Sequence, residues 1–359
     1  MWRTNPRKQK RSRMAVNRPS FFHRACRPFL TGFFVSAALV ISVTSCDTAR
    51  QQGGAAGKIM PNITGSAGEV LVVMDNFNWD NSAGELLKDI LMEEVPGLPQ
   101  SEPLFDVIQI TAASFDGFYM FHRSIVLTTI SSDLEPQIRF RENVYAKPQI
   151  MVQLEAPSSG ALQELIAANG DRIQGFLVQY DRQRLMDIYK ETKDIAIQKE
   201  IADHHQIRLA IPRGYNMDFS TDAYTSVSIE APDLSQVIQV YDYPANGPED
   251  LNTANLIAKR DEFTRKYIEG PREGSYMIIS PMYQPIVFDL MINDKEVVEL
   301  RGLWELENGY MGGPFISHSV YDAKRNRIVC VDGYIYYPNQ KKRTKIKQLE
   351  AIIYSMEII

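Results

Sequence analysis

Residues 296–322 read EVVELRGLWELENGYMGGPFISHSVYD, and two strands folded back on each other account for the stretch. Val298, Leu300, Gly302, Trp304 and Leu306 alternate with Glu299, Arg301, Glu305 and Glu307, the period of two that puts successive side chains on opposite faces of a sheet. That pattern predicts a half-buried antiparallel sheet with the glutamates on its solvated face. Asn308-Gly309 is the strongest short hairpin signal in the chain, because both central residues of a type I′ turn need φ > 0. The returning arm is then Gly312–Asp322.

The returning arm also holds the residues most suggestive of chemistry, Ser317-His318-Ser319 behind a glycine pair. In a strand, Ser317 and Ser319 lie on one face and His318 on the other. The histidine therefore cannot reach either neighbouring serine at the roughly 3 Å a nucleophile and its base require. Gly312-Gly313 is no phosphate cradle either. Such a loop needs several backbone N–H groups with a helix behind it, whereas Pro314 removes a donor and a strand follows. Asp203-His204-His205 predicts no metal centre, since adjacent helical histidines diverge by about 100° and no second histidine cluster has zinc spacing. Cys330, between Val329 and Val331, reads as a small buried hydrophobe. Tyr310, Tyr321, Tyr334, Tyr336 and Tyr337 either pack across strands or line a glycan- or protein-binding face.

Working outward, IVFDLMI precedes the opening stretch across Asn293-Asp294-Lys295, and RIVCVDGYIYYP follows it across Ala323–Asn326. A last helix begins near Pro338, with Ile346, Leu349, Ile352, Ile353 and Met356 on its apolar face. Upstream, IRLAIP, SVSIEAP and QVIQVYDYP read as strands, and a helix spans about residues 252–268. Nearer the N-terminus, EVLVVMD, LFDVIQI, RSIVLTTI and PQIMVQLEAP read as strands. The first two flank a helix with Ser82 and Glu85 at capping-box spacing and Pro96 after it. From Leu162 to about His204 the pattern is helical; Gly170 and Gly175 divide it into two helices if they interrupt it.

The N-terminus is of another kind. Residues 1–28 carry nine Lys and Arg and no acid, and an apolar run of 15 residues, Phe29–Val43, ends at small residues before Cys46. A basic region, an apolar core and a small-residue boundary make a secretion signal; Met1 and Met14 are both candidate starts. The run is shorter than the roughly 20 residues of a stable bilayer span, although an uncleaved anchor is the alternative. Val43-Thr44-Ser45-Cys46 resembles the lipobox of bacterial lipoproteins, which implies lipid attachment at Cys46. Either reading puts the rest of the chain outside the cytoplasm. Beyond Cys46 the chain has 30 Lys and Arg against 44 Asp and Glu, a formal charge of −14, which disfavours nucleic acid as a partner. Cys330 is then left without a disulfide partner. The Gly-, Ala- and Gln-rich stretch after Cys46 is a flexible tether with a reach of roughly 25 Å.

GLWELENGYMGGPFISHSVYDAKRNRIVCVDGYIYYPNQKKRTKIKQLEAIIYS resembles domain-of-unknown-function family 4837, found in lipoproteins of Bacteroidota. GEVLVVMDNFNW and PQSEPLFDV look like its N-terminal part, so the resemblance would cover nearly all of the mature chain. It implies a location and no catalytic residues. In that phylum Asp47-Thr48-Ala49 is similar to a short O-glycosylation signal, which would modify Thr48.

The expected organisation is a signal peptide over 1–45, a tether over 46–68, an N-terminal α/β part over 69–205 and a C-terminal α+β part over 206–359. The expected fold class is α+β, or an α/β sandwich, with a mixed, largely antiparallel sheet, flanking helices and a C-terminal β-meander closed by a helix. The strands of 207–337 look somewhat like PsbP-like sandwiches. One feature breaks a local rule. Lys341, Lys342, Arg343, Lys345 and Lys347 crowd the first turns of the last helix, where the dipole prefers anions; they either contact an anionic partner or pair with the chain's own acids. The expected role is non-enzymatic binding or structure in the cell envelope, with a membrane contact through the lipid, an envelope protein or glycan as partner, and no cofactor. An envelope hydrolase with a cleft between the two halves and a small-ligand or glycan-binding protein are the alternatives.

Overall fold

In the computed structural model, which describes residues 60–359, the first sheet grows from a strand apolar on both faces. Strand β1 (Glu69–Val73) pairs in parallel with β2 (Asp106–Ile110) on one side and β3 (Ser124–Ile130) on the other. Val70 to Val73 are fully buried, as a central parallel strand requires. Strand β4 (Gln137–Glu142), not anticipated from the sequence, runs antiparallel along β5 (Ile150–Ala156) and completes the order β2-β1-β3-β5-β4.

The connection after β1 holds a short α1 (Asn76–Trp79) and then α2 (Ser82–Leu91). The capping box at Ser82 and Glu85 does not form. Asn81 takes the N-cap position, so Ser82 is already helical, and the Asn81 amide donates to the Phe77 carbonyl at 2.7 Å. The two helices meet at Gly84, where a Cβ would come within 2.1 Å of the Trp79 carbonyl oxygen. The helix also ends at Leu91, well before Pro96.

Helix α3 (Ser159–Thr192) runs 34 residues straight through Gly170 and Gly175, a length of about 51 Å. The division comes instead at Asp194, whose carboxylate accepts from the amides of Ala196 (2.9 Å) and Ile197 (3.1 Å) and starts α4 (Ile195–His205). A capping side chain that satisfies orphan helix donors marks this boundary better than glycines that the helix tolerates. Gly175 has no atom within 4 Å of a Cβ position. Gly175→Ala should therefore stabilise the protein by about 0.5–1 kcal/mol, as a raised denaturation midpoint.

The C-terminal strands form a second sheet, and the expected α+β fold, with mixed and largely antiparallel strands and flanking helices, is divided mainly between the two. After the two-residue β6 (Ile207–Arg208) come β7 (Asn216–Ser220), β8 (Tyr224–Ala231) and β9 (Leu234–Pro244), then α5 (Thr253–Tyr267) and β10 (Tyr276–Ile279). Next are β11 (Ile286–Ile292), β12 (Lys295–Glu307), β13 (Gly312–Asp322) and β14 (Arg327–Tyr336), then α6 (Arg343–Ile353) and β15 (Glu357–Ile358). Eight strands are antiparallel in the order β10-β12-β13-β14-β9-β8-β7, with β11 beside the first half of β12. Of IRLAIP only β6 is strand, and it pairs with β15 at the other end of the chain.

The type I′ turn sits at Asn293-Asp294, both with positive φ (51° and 59°) and joining Ile292 to Lys295 directly. At Asn308-Gly309 only Asn308 has positive φ, and the loop is wider, with the Leu306 amide donating to the Met311 carbonyl. The expected solvated face of β12 and β13 is covered. α6 lies on it, packing Ile346, Leu349, Ile352 and Ile353 with Val297, Ile316 and Val320, while Phe315, Leu300 and Trp304 face the α5 side. Only Glu305 and Glu307 of the expected glutamate face reach solvent; Glu299 and Arg301 are buried. At Gly313 a Cβ would stand 2.0 Å from the Ile335 carbonyl oxygen. Gly313→Ala should cost about 1–3 kcal/mol through this backbone clash, read in the same denaturation experiment that shows the opposite sign for Gly175.

Residues 60–359 form one compact unit, and among the described residues no helix is long and apolar enough to cross a membrane. Cys46 and Thr48 lie outside the described residues.

Candidate functional site

Covering the β12–β13 face with a helix forces its polar residues to find one another. Glu299 and His318 are directly opposed across the two strands, where side chains meet. The His318 Nε2 donates to Glu299 Oε2 at 2.7 Å, and Arg301 Nε donates to Glu299 Oε1 at 2.7 Å. Arg301 then reaches α6, its Nη1 donating to Glu350 Oε1 at 2.5 Å. The chain of contacts continues on the other side of His318, whose ring meets the Tyr354 ring edge-on at 4.5 Å. The Arg182 guanidinium, from α3, lies 3.6 Å from the centre of that tyrosine ring, a cation–π contact. Six residues from α3, β12, β13 and the end of α6 thus form one linked group.

Burial by itself would raise the Glu299 carboxyl, but the His318 hydrogen bond and the Arg301 charge outweigh it and hold the group down at about 2. Burial pushes the His318 imidazole below its ordinary value, against the pull of Glu299. At neutral pH the pair is therefore a carboxylate accepting from a neutral imidazole, and His318 Nδ1 is left as an acceptor. That nitrogen has no partner among the described residues. His318 forms part of the wall of a cleft of about 350 Å³, so Nδ1 is the polar atom it offers there. The remaining wall is mainly apolar: Ile292, Val297, Val320, Ile353, Met356 and Ile358. Such a cavity, apolar with a few fixed polar groups, is of ligand-binding size and character.

Sequence reasoning split the serines from His318 correctly. Ser319 Oγ is on the far face, 3.2 Å from Cys330 Sγ, and burial pushes that thiol up to about 12, so it stays protonated. What was missed was Glu299 as the partner of His318. A signal existed: a hairpin centred on Asn308-Gly309 pairs Glu307 with Tyr310, and counting back along both arms sets Glu299 against His318.

Two further buried charge clusters seal parts of the core. Arg260 from α5 donates to Asp332 of β14 at 2.7 and 3.2 Å, with Gln239 and Tyr224 in the same network. His205 sits between Asp242 (2.7 Å) and Thr225 (2.9 Å), and Arg327 ties Asp242 to Asp322. His204 holds the more exposed Asp222, so the adjacent histidines do diverge. Among the described residues no group of three or more His, Cys, Asp or Glu is placed to hold a metal ion.

The basic stretch is answered from the first sheet. Glu102 accepts from the backbone amides of Lys342 (2.6 Å) and Arg343 (3.0 Å), placing an anion on the helix N-terminus, the position the dipole favours. Arg343 pairs with Asp106, Lys347 with Asp181, and Lys342 Nζ donates to the Gln340 carbonyl. Arg343 draws the Asp106 carboxyl below its usual range. Lys341 and Lys345 form no ion pair among the described residues. The five tyrosines do not gather into one exposed face: Tyr334 is buried edge-on against Trp304 at 5.5 Å, Tyr321, Tyr336 and Tyr337 are half-buried, and Tyr310 stands in solvent.

Residues 194–355 match the family model described as Domain of unknown function (DUF4837), and residues 64–190 match a second, Domain of unknown function (DUF8532). The N-terminal stretches expected to resemble the first family thus fall under the second, and the two matches meet at the break between α3 and α4. No curated protein matches the chain. Among solved structures, the Saccharomyces cerevisiae Ran-binding protein Mog1p is 10% identical, over 43% of this chain and 90% of that one, with a TM-score of 0.30. LpqN, involved in cell envelope biogenesis of Mycobacterium tuberculosis, is 13% identical over 42% of this chain and 81% of its own, with a TM-score of 0.25. At these scores neither bears on function.

Proposed function

We propose that this chain, whose residues 194–355 match the family model described as Domain of unknown function (DUF4837), is a lipid-anchored protein of the cell envelope whose task is binding. Cys46 is its attachment, and the cleft beside His318 is its binding site. The anchoring half rests on the basic region, apolar run and lipobox-like Val43-Thr44-Ser45-Cys46. The binding half rests on one observation: a cleft of about 350 Å³ with apolar walls, floored by a histidine already locked onto a carboxylate.

A hydrolase has one observation in its favour, since Glu299–His318 resembles a base with its orienting acid. Against it, the cleft wall contains no serine, threonine or cysteine. Release of nitrophenol from activated acyl esters, abolished in His318→Asn, would establish that reading instead.

Cys46→Ser is expected to move the protein from the membrane fraction to the soluble fraction of cells. Equal membrane retention of parent and variant would refute the lipid as the attachment.

A further inference from the structure

The cleft does not end at His318. Ile292, Asn293, Tyr354 and Glu357 also line a second depression of about 550 Å³, and Lys190, Ser355 and Glu357 carry that one into a third of about 400 Å³. The three make one groove along the C-terminal segment from Tyr354 to Ile358. Its character changes along the way. The first chamber is walled by aliphatic side chains. The later ones present Arg182, Lys190, Lys193 and Arg208, while Lys295 borders the first.

None of these five cations forms an ion pair among the described residues, although Arg182 stacks on Tyr354. Beyond Cys46 acids outnumber bases by 14, and the cations of the last helix that sit at the first sheet, Arg343 and Lys347, both have acidic partners. Along the groove Glu357 is the one acid on the lining among the described residues. The buried Glu299 and Glu350 lie beneath the first chamber and share Arg301, so the positive field belongs to the far end. Unpaired cations converging on a groove in an acidic protein raise the local concentration of anions, and an adjoining apolar chamber favours a hydrocarbon segment.

We propose that this groove binds an anionic amphiphile, its hydrocarbon chain in the chamber walled by Val297, Val320, Ile353 and Met356 and its anionic head among Arg182, Lys190, Lys193 and Arg208. The inference rests on the reading of the cleft as the binding site and names what the cleft takes.

The test uses the full-length protein in phosphatidylcholine nanodiscs, photolabelled by dodecyl phosphate carrying a diazirine at its chain end. Mass spectrometry should find label on peptides containing Val297, Val320 or residues 353–358. The triple reversal Lys190→Glu, Lys193→Glu, Arg208→Glu should lower that labelling at least tenfold while leaving the melting temperature unchanged. A neutral diazirine analogue of dodecyl maltoside should label the cleft at less than a tenth of the level. Equal labelling by both probes, insensitive to the reversals, would overturn the anionic preference and leave the cleft as a binding site. Competition by inorganic phosphate as effective as by dodecyl phosphate would overturn the amphiphile. Label on neither wall would sink the binding reading together with this one. Adding phosphatidylglycerol to the nanodisc separates the sources of the ligand. Reduced labelling supports a lipid drawn from the bilayer, and unchanged labelling supports a free amphiphile.

Discussion

Asp332→Ala is expected to destabilise the protein by about 3–5 kcal/mol, the loss seen when one member of a buried ion pair is removed. Asp332 is fully buried and Arg260 is 1% exposed. The guanidinium lies over the Phe315 ring at 3.8 Å, and its Nη1 already lacks a partner. Burial works against the Arg260 charge, and Asp332 more than offsets it, so the arginine is held above its ordinary value. Without the carboxylate, the cation has neither water nor counter-ion, and the Gln239 amide loses its acceptor as well. Whole domains are stable by only about 5–15 kcal/mol, so the variant stands near the limit of folding. Urea denaturation monitored by circular dichroism measures the change. The double variant Asp332→Leu, Arg260→Met should recover most of it, because an apolar pair of similar volume avoids both desolvation terms. A single variant within about 1 kcal/mol of the parent would show that water reaches the pair.

Arg301→Met is expected to cost a comparable amount, about 3–5 kcal/mol at pH 7, with a distinctive dependence on pH. In the parent, the Glu299 carboxyl titrates at about 2 rather than at 4.5. A depressed acid contributes stability that is complete above its unfolded value and is lost as the pH falls through its folded value. The parent therefore weakens between about pH 4.5 and 2 through this group, a change of about 3 kcal/mol. His318, lowered by burial, acts in the same direction as the pH falls below its ordinary value of 6.5. In the variant, Glu299 and Glu350 face each other's surroundings with no cation between them. Without the Arg301 charge, burial raises the Glu299 carboxyl from its low value, and protonation relieves the strain. The deficit relative to the parent should thus shrink from pH 7 to pH 4.5. A deficit of the same size at both values would mean that lost packing, and not an orphaned charge, is responsible.

The sheet-forming segments were legible because alternation and turn chemistry are local. β12 follows from the period of two, β13 and β14 from the turns that precede them, and β1 from an uninterrupted apolar run. β4, with alternating Arg139 and Arg141 on a sheet edge, and β7, exposed along most of its length, carry too little apolar signal to declare themselves. The larger error came from reading polarity as exposure. Glu299 and Arg301 look like a solvated face because alternation says only that a face is polar. Whether a helix closes over it depends on α6, whose glutamate Glu350 and aliphatic residues arrive some 50 residues later. The basic helix start posed the same problem. Its anion, Glu102, is separated from Lys342 by 240 residues, and no local pattern could supply it. The cleft is legible in neither way, since its walls come from β13, the β11–β12 turn, the end of α6 and residues 354–358.

The cap that Glu102 places on α6 has a consequence for how the chain can be divided. The two family matches divide between residues 190 and 194. Folding draws no line there. An excised piece starting at 194 keeps the whole eight-stranded sheet yet leaves behind Glu102, Asp106, Asp181 and Arg182, the groups that cap the start of α6, neutralise its first turns and roof Tyr354. The matched segment and the compact unit are different lengths of chain, and the shorter one loses the four side chains that hold α6 and Tyr354 in place.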